Sequence, residues 1–136
     1  MAKEAHTRSI PVLDGDADQE WLLRWQDPAH GDDFIVGLLA SDGRGWTSRG
    51  HNMFAALIEL RRQLDPLNIK LCCEGARTQA AISGMAADMG RGMMVYRIEH
   101  GRPARQADLV DVFAPAPPEE IGTVEDQAAY RRAWMS

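Results

Sequence analysis

The chain has 136 residues, of which 45% are hydrophobic and 26% charged, and its formal net charge is −5 at pH 7. That length sets one domain with room for a core, since roughly two-thirds of the unfolded surface goes inside at about 150 residues. The apolar share excludes wholesale disorder. The acidic balance and the scattered arginines exclude a general attraction to phosphate backbones, so no nucleic-acid partner is expected.

Residues 1–20 are polar and carry Asp14, Asp16, Asp18 and Glu20. They read as a loose N-terminal arm, with a short strand allowed at Ile10–Leu13, ahead of a single domain over 21–136. Trp21–Gln26 is the first expected strand. Asp27-Pro28 opens a polar turn that runs to Asp33, and the apolar run Phe34–Ala40 suits a central strand. Asp42-Gly43, supported by Gly45, turns the chain into a short third strand at Trp46–Ser48.

Asn52 then caps the clearest helix. Phe54, Leu57, Ile58 and Arg61 follow an i, i+3, i+4, i+7 path, Leu60 and Leu64 widen the stripe, and Glu59, Arg61, Arg62 and Gln63 supply most of the polar face. Asp65-Pro66 stops it. Ile69–Cys73 reads as a strand broken by Gly75. A helix carrying Ile82, Met85, Ala86 and Met89 follows, and Gly90 ends it. Met93–Ile98 is apolar on both faces and reads as internal. Asp108–Phe113 reads as an edge strand, and Ala114–Pro118 as a stiff linker. The last helix spans 123–134, with Thr123 and Asp126 in a capping-box pattern and Tyr130 and Trp134 as anchors one turn apart. The order β-β-(β)-α-β-α-β-β-α, with two early hairpin-linked strands, predicts an α+β fold. It has a single mixed, largely antiparallel sheet of about four to six strands and about three helices.

Cys72 and Cys73 are the two cysteines. Neighbouring strand residues face opposite ways, which makes them poor partners for one disulfide or one metal. Their plain reading is buried and structural. A catalytic thiol needs a base or cation beside it, which His51 or His100 would have to supply, and Cys72 is the better candidate if it faces away from the core. No apolar run approaches the ~20 residues of a membrane span, and residues 1–20 hold no apolar core of signal-peptide length. A cytoplasmic protein without membrane contact is the expectation.

Two surfaces carry the functional expectations. In the first, Glu74-Gly75-Ala76-Arg77-Thr78 with Ser83-Gly84 places a glycine turn at a helix N-terminus, where backbone N–H groups hold anions and Arg77 adds a bidentate contact. Glu74, Arg77, Thr78 and Ser83 would then bind a small anionic ligand or substrate. The structural alternative has Gly75 making the turn, Thr78 capping the helix and Arg77 pairing with Glu74. The second surface combines Asp14, Asp16, Asp18, Asp32 and Asp33 with Trp25, and suits a basic protein partner.

No metal or cofactor is expected. Asp14-x-Asp16-x-Asp18 starts like a calcium loop, but Gln19 and Trp25 stand where glycine and glutamate are required. His30, Asp32 and Asp33 read as a solvated turn. No Gly-Lys-Ser/Thr follows the Gly75 turn, and Gly90-Arg91-Gly92 leads into a strand, so neither nucleotide-binding fingerprint is complete. Serine-elbow and zincin patterns are missing too. The leading expectation is a small acidic binding protein, of the immunity or antitoxin kind, that neutralises a basic toxin. The alternative is an anion-binding domain or enzyme built on the Glu74–Ser83 turn.

From about Trp46 to Trp134 the chain resembles a group of small bacterial proteins with no established activity. The shared features are a helix like NMFAALIELRRQLDPLNI, Cys73-x-Gly75-Ala76-Arg77, Ser83-Gly84-Met85 with Met89-Gly90, a Tyr-bearing strand, Asp108 to Phe113, and Thr123 to Gln127. The resemblance implies a bacterial origin and no mechanism. The group carries asparagine where this chain has Glu74.

Overall fold

The structure is a computed structural model that describes residues 5–29, 31–84 and 90–136. His30, and Met85, Ala86 and Met89 of the second expected helix, lie outside the described residues.

Strands β1 (Ala5–Asp14) and β2 (Ala17–Gln26) form a long antiparallel hairpin, paired from Ala5↔Gln26 to Asp14↔Ala17. Its turn is Gly15–Asp16, and Gly15 at φ 60 takes the left-handed backbone that a two-residue hairpin loop needs. Residues 5–20 are therefore not an arm, which corrects the sequence expectation. The polar residues there are the outward half of an alternation whose inward half includes Ile10, Val12 and Trp21, all buried. Two inward apolar residues on β1 are too few to stand out in sequence.

Strands β3 (Phe34–Leu39), β4 (Gly45–Gly50) and β5 (Ile69–Leu71) complete a five-stranded sheet in the order β4-β3-β2-β1-β5, with every neighbouring pair antiparallel. Helix α1 (Met53–Leu64) packs on its inner face. Asn52 caps it as expected, its Oδ1 accepting the Ala55 N–H at 2.8 Å. Gly50 meets the backbone of Ala55 and Ala56 so closely that no side chain fits there. Ser48 Oγ donates to the Ala56 carbonyl (2.7 Å), and Gln63 Nε2 donates to the Thr47 carbonyl (2.9 Å). The helix thus lies along β4 and satisfies a carbonyl of that edge strand.

The expected single sheet is in fact two. After β5 the chain makes a 3-10 turn, Glu74–Ala76, and enters a three-stranded antiparallel sheet of β6 (Ala80–Ala81), β7 (Met94–Arg97) and β8 (Leu109–Asp111) in the order β6-β7-β8. β7 is internal and β8 lies at the edge, as the sequence implies. β6 comes just where a helix was expected to begin, so Thr78 caps no helix. Arg8 on β1 reaches Asp111 on β8 at 3.3 Å, which links the sheets.

Helix α2 (Val124–Met135) has both arms of its capping box: the Asp126 N–H donates to Thr123 Oγ1, and the Thr123 N–H donates to Asp126 Oδ2. These bonds lower the pKa of the Asp126 carboxyl below its ordinary value. Trp134 Nε1 donates to the Arg102 carbonyl (2.8 Å), and Tyr130 packs on His100. Two helices of more than one turn stand among the described residues. No described helix is long and apolar enough to cross a membrane.

Arg61 departs from its expected place on the polar face of α1. It is 2% exposed. Its guanidinium donates to Gln127 Oε1 and the Gly122 carbonyl, both at 2.9 Å, while Gln127 Nε2 donates to the carbonyls of Gly75 and Arg77. Burial lowers the pKa of Arg61 from the ordinary guanidinium value. α1 and α2 are thus joined through a polar bridge. Arg61→Met, which removes the donors and leaves their acceptors buried, lowers unfolding free energy by about 2–3 kcal/mol. Arg62→Met, one residue away and exposed, changes it by less than about 0.5 kcal/mol. Urea unfolding of the two variants checks the contrast.

Candidate functional site

The turn after β5 brings together two of the four residues expected to bind an anion, and closes around them. Glu74 is 1% exposed. Arg77 Nε donates to its Oε2 at 2.6 Å, and Arg97 Nε, from β7, donates to its Oε1 at 2.5 Å. Arg77 also lies 3.8 Å from Glu120. Every backbone N–H of the turn is already used. Glu74 donates to Ala114, Gly75 to Val112, Ala76 to Cys73, Arg77 to Glu74 and Thr78 to Glu120. Gly75 sits so tightly between Val112 and Leu57 that a Cβ would fall 2.5–2.6 Å from their side chains.

The backbone N–H donors of the expected anion cradle are thus spent within the chain. Thr78 lies against Gly122. Ser83 lies three residues beyond the Ala80↔Arg97 pair that adjoins Glu74. None of these four residues is among those that line three clefts formed by the described residues.

The acidic surface is divided. Asp14, Asp16 and Asp18 flank the hairpin tip, whereas Asp32 and Asp33 lie past the far end of β2, a ten-residue strand about 33 Å long. Asp14 pairs with Arg44 at 2.8 Å, and Asp33 lies 3.6 Å from Arg49. Asp16 and Asp18 are exposed and have no ion-pair partner among the described residues. Trp25, expected as an interface anchor, is buried between Phe113 and His6, with ring centroids at 5.0 and 5.1 Å.

Asp18 and Glu20 alternate outward along β2, and Pro11 stands beside Glu20 on β1. The Ala116 N–H donates to the Cys72 carbonyl (3.0 Å), which brings 116–118 alongside. The result is a cleft of about 430 Å³ lined by Pro11, Asp18, Glu20, Cys72, Ala116 and Pro118, among others. Glu20 accepts a hydrogen bond from Ser9 Oγ at 2.6 Å.

Burial pushes the Cys72 thiol up in pKa, and the charges of Asp18 and Glu119 push it the same way. Burial also pushes Cys73 up to about 12. Neither is an activated nucleophile, because both thiolates are disfavoured by the same surroundings that would have to stabilise them.

The outward face of the five-stranded sheet was not anticipated. Leu22, Ile35 and Leu39 are 43%, 48% and 47% exposed there. A groove of about 880 Å³ crosses this face over Arg24, Ile35, Gly37, Thr47 and Arg49, with Asp27, Asp32 and Asp33 in its wall. The signal for this face was present in Trp21–Gln26 and Phe34–Ala40, which have more apolar residues than one buried face can take. A scan against family models finds no match to the chain, and a search of curated proteins finds none either.

Two outcomes follow from the closed turn and the raised thiols. Arg77→Ala leaves the buried Glu74 carboxylate with one cation and lowers stability by about 3 kcal/mol, read as a lower urea midpoint. In the native protein at pH 8, Cys72 and Cys73 resist alkylation that goes to completion in denaturant, read by intact mass.

Proposed function

We propose that the chain is a small acidic protein-binding domain that occludes a basic partner, in the manner of an immunity or antitoxin protein in a bacterial cytoplasm. The observation that carries this reading is the cleft of Asp18 and Glu20. Two outward carboxylates stand between apolar walls, and Asp18 has no ion-pair partner among the described residues. That combination suits a lysine or arginine side chain, whose stem lies on Pro11, Ala116 and Pro118 while its charged end meets the carboxylates.

Asp16, at the hairpin tip next to the cleft, adds to a negative field that speeds encounter with a basic surface. The protonated Cys72 thiol gives the cleft a neutral floor, so the carboxylates alone set its charge. Asp32 and Asp33, at the other end of β2, are too distant to share this contact and would act on the approaching partner only through the field of the whole domain.

Capture with the tagged protein, followed by mass spectrometry at low and raised salt, tests the reading. The expected result is a stoichiometric basic protein that is released as salt rises. Asp18→Lys with Glu20→Lys weakens that complex by about 10- to 100-fold. A partner held equally by the charge-reversed protein, or equally at both salt concentrations, overturns the reading.

A further inference from the structure

We propose that the outward face of the five-stranded sheet is a self-association surface, on which two copies of this chain pack about a twofold axis running along the Leu22–Leu39 row. The outward residues of β2 are, in order, Asp18, Glu20, Leu22, Arg24 and Gln26. Glu20 and Arg24 lie two residues to either side of Leu22, each about 7 Å away. Leu22 pairs across the strands with Leu39, and this row continues to Ser9 on β1 and Gly45 on β4.

For two sheets packed face to face, the twofold axis must lie in the plane between them. If it runs across the strands beneath the Leu22–Leu39 row, leucine meets leucine, and Glu20 of each copy faces Arg24 of the other. If it runs along β2, Glu20 meets Glu20 and Arg24 meets Arg24, which like-charge repulsion opposes. The pattern therefore selects both the partner and its orientation, as an isologous contact requires.

Three further observations agree. The exposed Arg24 side chain joins no hydrogen bond or ion pair among the described residues, although it is a cation in an acidic protein. Leu22, Leu39 and Ile35 form an exposed apolar group, with charged residues around it, that neither α1 nor α2 covers. Gly37 stands beside Arg24 in the register, and a Cβ there would meet only the Trp46 carbonyl, at 3.8 Å. The hollow above Gly37, beside the leucine row, leaves room for the two sheets to approach closely. This inference needs only the chain's own residues and does not depend on the basic-partner reading. The two share Glu20, so a bound basic partner and the dimer exclude one another.

Sedimentation velocity of the full chain at low salt, over about 1 to 500 μM, tests it. The expected result is a concentration-dependent monomer–dimer equilibrium. Arg24→Glu alone and Glu20→Arg alone each weaken the dimer by at least about tenfold, and the double variant with both changes restores it to within about threefold. Leu39→Ser weakens it without changing any charge. All three substitutions are at outward positions, and circular dichroism confirms that each of the four variants is folded. A wild-type protein that stays monomeric throughout, a dimer indifferent to these changes, or a double variant no better than the single ones overturns the proposal. A monomer that still captures a basic protein overturns the dimer alone, whereas a wild-type dimer whose Leu39→Ser monomer captures no basic protein overturns the basic-partner reading alone.

Discussion

The buried carboxylate of Glu74 is the constraint around which the two sheets are arranged. Taking an ionised carboxylate out of water costs several kcal/mol unless the site supplies opposite charge and hydrogen bonds. Here Arg77 supplies one guanidinium from the turn itself, and Arg97 supplies the other from the central strand of the second sheet. The carbonyl side of the same turn is held by Gln127, and by Arg61 through Gln127. One short segment thus receives side chains from α1, β7 and α2, and the position of each depends on the others. Polar groups inside a domain tolerate few alternative arrangements, because a slight shift leaves one of them without a partner. The apolar core that surrounds the turn is far more permissive.

This explains which parts of the architecture were legible in sequence. The strands that bury one clear apolar face, the Asn52 cap and the Thr123–Asp126 box all depend on neighbours within a few residues, and each was readable, whereas Trp134 was read as an anchor from residue type and spacing without its partner, the Arg102 carbonyl 32 residues away. The pairing of Arg77 with Glu74 was readable for the same reason, since only three residues separate them. Arg97 lies 23 residues away and Gln127 lies 66 residues from Arg61, so nothing local announces either contact. Arg61 was misplaced for a related reason. An arginine on a helix stripe reads as polar face unless acceptors known only from the tertiary structure bring it inside.

The surfaces were harder to read. Joining Asp14, Asp16 and Asp18 to Asp32 and Asp33 assumed that acidic residues near one another in sequence share a patch, but a ten-residue strand separates the two groups. Trp25 was taken for an anchor on residue type alone, although its place in the alternation of β2, in phase with Trp21 and Leu23, already put it inside. The outward leucines were hidden by the opposite error. The apolar run Phe34–Ala40 was read as a central strand, and its apolar residues alone do not mark which of them lie on the uncovered face.

The contact between α1 and β4 carries a consequence for how such a sheet associates. An uncovered edge strand accepts another strand, and the strand it accepts offers a fresh edge in turn, so that mode of growth has no natural end. On this chain Gln63 occupies a carbonyl of β4, and the helix lies along that side of the sheet. Lateral polymerisation is therefore discouraged by the same helix that fills the core. A twofold contact through the broad face, by contrast, would consume both copies of that surface at once. At the β4 edge, then, the fold works against open-ended growth.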